Sequence, residues 1–576
     1  MSATDETLAQ FRTSLPDYES LTAQLQSWAE SHPGLFQLSS LGTTPEGREI
    51  WLAEVGDSSL DPGRPAVWVD ANMHAAELVG TSVCLGIIEE LLRIHRGEGS
   101  GAAPAAVADA LREVRVMVVP RVSPDGAEAV LKTGRYVRSV PRDERANREH
   151  ARWVSEDMDG DGLMLVMRVL DPTGEFVESP NVAGLMVPRE IHDEGPFYKI
   201  YPEGTIENFD GSTIPEPGML ADQDPDLNRN FPYHWAPEPK QLGAGRYPLS
   251  EMESRVIAEK VTETPNLFAW MNLHTFGGVH IRPLGNGSDA TMDPRERAIW
   301  ADFEAWATDC TGYPTVSGFE QFTYQEGTPL HGDLVDFAYR TRGCLAWACE
   351  VWDIFEQVGL PKQKRFVDRY SKLEREHFEA IAAWDKEHNQ GRVMRPWKKV
   401  EHPQLGDVEV GGVDPRFGLW NPPFEVMDDH IKGLTALFCR VAAMVPRVRV
   451  SAEVRELSPG LNEVNVLIEN QGYFPTYGMP TAKALSWNEP LYLSVEAEEG
   501  CELGNEHDSH TEIGHLEGWA RGRHAGGALY YQRSQGSVSR TTRRIVVKGH
   551  GRVCIEVRSC RVGKTGLRVE VGSGSA

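Results

Sequence analysis

The sequence predicts an α/β fold, a mixed and mostly parallel sheet with helices on both faces, followed by a C-terminal all-β sandwich of immunoglobulin-like type. Three observations carry this. Strand and helix periodicities alternate over the first 130 residues, the alternation returns after Tyr247, and β-branched residues alternate with polar ones from Val448 onward. The change of pattern divides the chain into residues 1–446 and 447–576.

Apolar spacing with Gly and Pro punctuation predicts a helix over residues 18–31, strands at 50–55 and 66–70, a helix over 78–93 and a strand at 114–120. A Gly-, Pro- and Asp-rich insert follows at about 140–223, roughly 80 residues, too long for a plain connection and so expected to be functional or independently folded. After Tyr247 come a helix over 250–263, a strand at 267–273, a strand at 344–349 that ends on Glu350, and a long amphipathic stretch over 369–388. Past Asn389 the sequence reads as Pro- and Gly-rich connection, then as one more helix over 428–445. The segments VRVSAEV, EVNVLIEN, LYLSVEA, RRIVVKG, VCIEVRS and LRVEV, separated by Gly and Asn turns, supply the sandwich.

The 576 residues are 40% hydrophobic and 25% charged, ordinary globular usage with enough apolar material for more than one core. The 58 Lys and Arg against 85 Asp and Glu leave a net charge of -27, which repels nucleic acid and anionic lipid, so neither is expected as a partner. The N-terminus has no apolar run of signal-peptide length, and no stretch of about 18 apolar residues occurs, so the expected location is the cytoplasm. Eight cysteines without C-x-x-C spacing read as reduced thiols, with a Cys554–Cys560 disulfide as the alternative.

In AVWVDANMHAAELVG, His74 and Glu77 lie just past a strand at the start of a helical pattern. Three-residue spacing lets an imidazole and a carboxylate converge on one metal ion, and a two-His-one-Glu zinc site needs one further ligand and an open position. Taken alone, H-x-x-E is usually a surface charge pair. MNLHTFGG delivers His274 at the end of a second apolar strand, where open α/β sheets build their sites. The bland reading there is a satisfied structural histidine, and it weakens when both histidines occupy strand ends. CLAWACEVWD places Glu350 after a third apolar run, either buried at a cost of several kcal/mol or positioned for work. As a general base beside a metal it would take a proton from the attacking water. It is not needed as a ligand, because His74, His274 and Glu77 already fill the protein's share of a catalytic zinc site.

HAAE, DLNRNFP, NLHTFGG and CLAWACE, in this order, resemble the successive motifs of the carboxypeptidase A-like zinc metallopeptidase family. The resemblance covers most of residues 18–390 apart from the insert, whose Asp-rich character is similar to that of larger bacterial relatives. It implies one zinc ion on His74, Glu77 and His274, with Glu350 as general base. It places Asp226 as the carboxylate that orients His74, and Asn228 and Arg229 as the pair that grips the substrate's terminal carboxylate. Arg138, in GRYVRSV, falls on the arginine that polarises the scissile carbonyl, with Arg135 and Arg142 as rivals. Tyr324 falls on the mobile capping tyrosine, with Tyr339 the alternative that merely packs. Val335 takes the floor of the terminal side-chain pocket, which suggests apolar or aromatic termini. Ala76 stands where digestive members carry a basic residue, and the short stretch before Tyr18 leaves no room for an activation segment.

The implied activity is zinc-dependent removal of the C-terminal residue from peptides with a free carboxylate. Its rivals are an amidase or deacylase of the same superfamily, acting on acylated amino acids or cell-wall peptides, and a non-catalytic peptide-binding relative. Within the insert, DMDGDG spaces Asp157, Asp159 and Asp161 like the front of a calcium loop. Arg168 at the twelfth position excludes an EF-hand, leaving calcium on other ligands or a simple Asp/Gly turn.

Overall fold

The computed structural model describes residues 10–142, 149–217, 225–520 and 534–572. Its centre is an eight-stranded sheet of β1 (Phe36–Thr43), β2 (Glu49–Val55), β3 (Ala66–Ala71), β4 (Arg115–Val119), β5 (Leu267–Thr275), β6 (Val279–Arg282), β7 (Thr315–Ser317) and β8 (Leu345–Val351). The spatial order is β1-β2-β4-β3-β5-β8-β6-β7. The middle strands β4, β3, β5 and β8 run parallel, β1 and β2 pair antiparallel with their neighbours, and β6 is antiparallel to β8 and parallel to β7. Every residue of β3 and β5 is buried, as expected of parallel strands covered by helices on both faces.

Three helices position the site: α1 (Val79–His95), α2 (Leu334–Arg342) and α3 (Met427–Ala442). Helix α1 crosses β3 and β5 so closely that a Cβ on Gly80 would lie 2.9 Å from Ala71 Cβ and 3.1 Å from Leu273 Cβ. Helix α3 in turn lies on α1 at Gly86, where a Cβ would meet the Ile431 side chain at 2.3 Å. Only glycine permits both approaches.

Several elements differ from expectation. Strands β5 and β8 run past 273 and 349, so His274 and Glu350 are strand residues held by ladder bonds. The stretch 369–388 is two helices, Asp368–Ser371 and Arg375–His388, the second started by a capping box between Glu374 and His377. The insert is not an independent fold. Its strands Val166–Leu170, Phe176–Glu178, Met186–Pro188 and Phe197–Pro202 form one six-stranded sheet with Met394–His402 and Gly406–Val413, the region read as connection. Val408 and Val410 close a small core with Trp153, Met167, Tyr201 and Ile206. Pairing between distant segments, Glu409 with Arg168 and Gly411 with Val166, leaves no local period to read.

From Val448 the chain forms two four-stranded sheets. Val464, Val466, Ile468, Leu493, Ile545, Val547, Ile555 and Val557 fill the space between them. This sandwich is keyed into the α/β part. Tyr473, Phe474 and Met479 belong to the main core. Arg561, wholly buried, donates to the carbonyls of Arg342 at 2.9 Å and Pro265 at 3.1 Å, with its guanidinium 4.4 Å from the Phe268 ring centre. All eight cysteines, Cys554 and Cys560 included, are free thiols. Among the described residues no helix is long and apolar enough to cross a membrane.

Candidate metal centre

His74 and Glu77 sit on the loop between β3 and α1, and the loop is folded around Asn72. Asn72 adopts a left-handed φ of 57°, a conformation Asn tolerates. Its buried amide donates to the carbonyls of His74 at 2.9 Å, Ala75 at 3.1 Å and Glu77 at 3.3 Å. The loop therefore turns its two side chains toward the end of β5, where His274 waits.

The three side chains meet. His74 Nδ1 is 2.8 Å from Glu77 Oε1, His274 Nδ1 is 2.9 Å from Glu77 Oε2, and the two Nδ1 atoms are 3.0 Å apart. All three residues are at most 3% exposed. Each imidazole spends its other nitrogen on an oxygen: His74 Nε2 donates to Asp226 Oδ1 at 3.1 Å, and His274 Nε2 donates to Asn272 Oδ1.

Asn272 cannot turn its amide round. Its Nδ2 donates to Asp70 Oδ1, while the other Asp70 oxygen accepts from Trp68 Nε1 and Trp270 Nε1, both at 2.7 Å. All four residues are fully buried. Burial pushes the Asp70 carboxyl up to about 6 against these three hydrogen bonds.

This pattern fits a cation. With both Nε2 atoms carrying hydrogen, two bare Nδ1 lone pairs face each other and a carboxylate, an arrangement that repels unless a positive charge lies between them. Burial would lower His74, and Arg138 adds to that, yet Glu77 and Asp226 outweigh them and raise it. Burial lowers His274, keeping it the neutral ligand form. Burial would raise Glu77, but positive charge on His74 and His274 holds it down to about 2 in the metal-free chain, a charge that a bound cation would supply in place of the protonated imidazoles. Donors bound at 2.0–2.1 Å to one tetrahedral zinc lie about 3.4 Å apart, close to the spacings here, and two His with one Glu is a catalytic zinc donor set.

Glu350 stands beside this triad as the register partner of His274. Its Oε2 is buried without a hydrogen-bond partner among the described residues. Burial, then the negative charge of Glu77, push its carboxyl well above the usual range, with Arg138 opposing. Arg138 Nε donates to Asp226 Oδ2 at 3.1 Å, and its Nη1 is 3.6 Å from Glu77 Oε1. Arg142 is committed to Glu253 at 2.7 Å, and Arg135 makes no such contact among the described residues.

Asp226 also accepts from the Asn228 backbone at 2.8 Å, starting the short 3-10 turn Leu227–Arg229. Asn228 Oδ1 accepts from the Leu334 amide at 2.8 Å, and Arg229 Nη1 donates to the Asn228 carbonyl at 2.7 Å. Both side chains are partly exposed. Tyr324 is 72% exposed and within electrostatic reach of Arg138. Tyr339 is buried with its hydroxyl on Glu296 and packs. Val335 is buried on α2 between two buried acids, Asp333 and Asp336.

The Asp-rich loop is a self-contained turn. Asp157 accepts from Gly160 and Gly162, Asp159 from Asp161, and Asp161 from Leu163, while Lys398 lies 3.3 Å from Asp159 Oδ2. Glu203, not Asp161, joins Asp157 and Asp159. The calcium expectation gains no support, because these carboxylates already serve backbone amides and an ammonium.

Asp70, Asn72, Asn272, Trp420 and Asn421 are site residues that sequence reasoning passed over. Asp70 and Asn272 left a signal, a polar residue inside an otherwise apolar run. Trp420 left none: it packs on the cluster holding Ala75 and Ala76, with ring centres 5.3 Å from Tyr136 and 6.0 Å from Phe276.

Two imidazoles and a carboxylate that converge at the edge of a mixed α/β sheet make a candidate metal centre. Residues 21–375 match the zinc carboxypeptidase family, and residues 448–570 match a domain of unknown function. The chain belongs to the zinc carboxypeptidase family, a class of metal-dependent peptide-bond hydrolases. A zinc carboxypeptidase of Saccharothrix mutabilis subsp. capreolus is 28% identical over 125 residues, 22% of this chain and 27% of that protein. Carboxypeptidase D of Mus musculus is 34% identical over 106 residues, 18% of this chain and 7% of that protein. Carboxypeptidase B of Astacus astacus is 22% identical over 304 residues, 52% of this chain and 71% of that protein. The first two matches thus span only a small part of each relative. Among solved structures, carboxypeptidase A from Helicoverpa armigera aligns at 17% identity and a TM-score of 0.38, covering 60% of this chain and 70% of that one.

Proposed function

We propose that this chain removes the C-terminal residue from peptides that end in a free carboxylate. One observation carries the reading: Asp226 is shared between the metal centre and the groups suited to a terminal carboxylate. It accepts from His74 and Arg138, and it starts the turn that presents Asn228 and Arg229. A carboxylate gripped there lies a fixed short distance from the triad, and that distance is what makes an exopeptidase.

The group implied by the family is zinc, held by His74, Glu77 and His274, and when bound it supplies a Lewis acid that acidifies water and polarises a carbonyl. The chain's own residues do the rest. Arg229 and Asn228 hold the terminal carboxylate through guanidinium and amide donors. Arg138, fixed by Asp226, aims its remaining N–H groups at the scissile carbonyl oxygen as negative charge develops there. Glu350 takes the proton of the attacking water at Oε2 and returns it to the leaving amine. Tyr324, exposed at the mouth, is free to fold over the bound residue and shed water.

The test is a matched pair of peptides, one ending in a free acid and one in an amide. Leaving Arg229 without its anion costs about 2–5 kcal/mol, so the amide should be cut roughly 30 to several thousandfold more slowly in kcat/KM. Arg229→Ala should erase most of that difference by slowing only the free acid. Equal rates on the two peptides would contradict the reading and leave an amidase or endopeptidase on the same centre.

A further inference from the structure

Residues 414–421 lie beyond the segment that matches the zinc carboxypeptidase family, yet they are strapped across the loop bearing His74 and Glu77. Asn421 is the contact point and is fully buried. Its Oδ1 accepts the Val79 N–H at 2.9 Å, and its Nδ2 donates to the carbonyls of Ala76 at 2.9 Å and Arg416 at 2.9 Å. The first two bonds bracket Glu77 in the chain.

Helix α1 needs such a partner. Its N-cap position is Leu78, and no side chain of its own caps it. Helices ordinarily find that oxygen on an adjacent Ser, Thr, Asp or Asn; here it arrives from 342 positions away. His274 needs no equivalent, because it lies within β5, paired to Glu350 of β8 and one residue past the last pairing with β3, Leu273 to Ala71. The loop 72–78 belongs to no ladder: Asn72 braces it from within, and the Arg138 carbonyl accepts the Ala75 N–H at 2.9 Å, ahead of Glu77 in the chain.

The strap is itself anchored on the opposite wall of the site. Trp352, two residues past Glu350, donates its Nε1 to the Gly418 carbonyl at 2.9 Å. Asn389 donates to the Phe417 carbonyl at 2.7 Å, and Arg416 donates to the Leu131 carbonyl at 2.7 Å. One short segment thereby ties the ligand loop to the strand end that carries Glu350.

We propose that Asn421 is a positioning residue of the metal centre, fixing the backbone of residues 76–79 so that the Glu77 carboxylate stays aimed between His74 and His274. The inference rests on the zinc reading above. Partners that orient metal ligands typically change metal affinity 10- to 100-fold when removed, and Asn421 acts on the loop backbone in the same sense.

The experiment uses the full chain and zinc alone, with affinity read by competition against a chromogenic chelator and thermal midpoints recorded with and without zinc. Asn421→Ala should raise the zinc Kd about tenfold or more and shrink the zinc-induced rise in Tm. Asn389→Ala, which loosens the same strap away from the ligand loop, should lower Tm but leave zinc affinity within about twofold. A purely structural Asn421 would behave as Asn389 does, and that result overturns the proposal. Should Asn421→Ala not fold, the nearly isosteric Asn421→Asp removes both Nδ2 donors and is expected to weaken zinc in the same direction; unchanged affinity in it is equally fatal. Zinc bound stoichiometrically by the unmodified chain separates this failure from failure of the zinc reading, which would show as no zinc in any variant and would remove both.

Discussion

His274 and Glu350 are directly opposed residues on the parallel strands β5 and β8. Neighbouring strands lie about 4.8 Å apart, so one imidazole of the triad and the adjacent carboxylate are set side by side by the sheet itself. Their spacing therefore does not depend on loop order, whereas that of His74 and Glu77 does.

If the triad holds zinc, the unmodified chain should bind one equivalent and lose activity to a chelator, with recovery on adding zinc back. His74→Ala or His274→Ala should weaken zinc by more than the ~100-fold typical of losing an orienting partner. Elemental analysis after dialysis checks this, and full activity in a zinc-free preparation would refute it.

Glu350 is expected to act as a base and not as a ligand. Glu350→Gln should keep zinc and peptide binding while kcat falls by about 10²–10⁴-fold. Equilibrium dialysis together with single-turnover rates separates the alternatives: lost zinc makes Glu350 a ligand, and normal turnover removes it from the reaction.

Asp70 should set the tautomer of His274 through Asn272. In Asp70→Asn, the amide can satisfy both Trp N–H groups only by presenting its NH2 to Asn272, which must then turn its own NH2 toward His274 Nε2. The proton would move to Nδ1 and block ligation, so zinc affinity should fall about 10- to 100-fold. Stability should respond to pH as well. A carboxyl raised from 3.8 to about 6 on folding contributes stability that is full below about pH 4 and is lost as pH rises through 6. The loss is about 3 kcal/mol. Denaturant titrations of the metal-free chain near pH 4.5 and pH 7.5 should show a smaller decline in Asp70→Asn than in the unmodified protein, because the raised carboxyls of Glu350 and Glu203 keep their own share of it; an equal decline in the two would contradict the assignment.

The sandwich should not separate cleanly from the α/β part. Arg561 occupies a buried slot against Phe268, and Tyr473 donates to Asp302 at 2.6 Å. A chain ending near residue 446 uncovers these surfaces and should be insoluble, while the full chain should melt in one cooperative transition. Two resolved transitions in calorimetry, or a soluble and active truncation, would show the sandwich to be an accessory.

Local sequence was enough to locate the strands that lead to His74, His274 and Glu350, because buried parallel strands are nearly unbroken apolar runs and a polar residue at or just past their ends stands out. It was enough, too, for helix α1 and for the change to alternating β-branched strands after Val448. The six-stranded sheet escaped it, since residues 166–202 and 394–413 read separately as loop and linker and become strands only when paired. Only the tertiary structure decided which nitrogen of each histidine faces the centre. That depends on Asp226, Asn272 and Asp70, and the aim of Glu77 depends on Asn421. Each of these bonds joins residues far apart in the chain or fixes an amide by its second partner, and a one-dimensional pattern carries neither distance nor orientation.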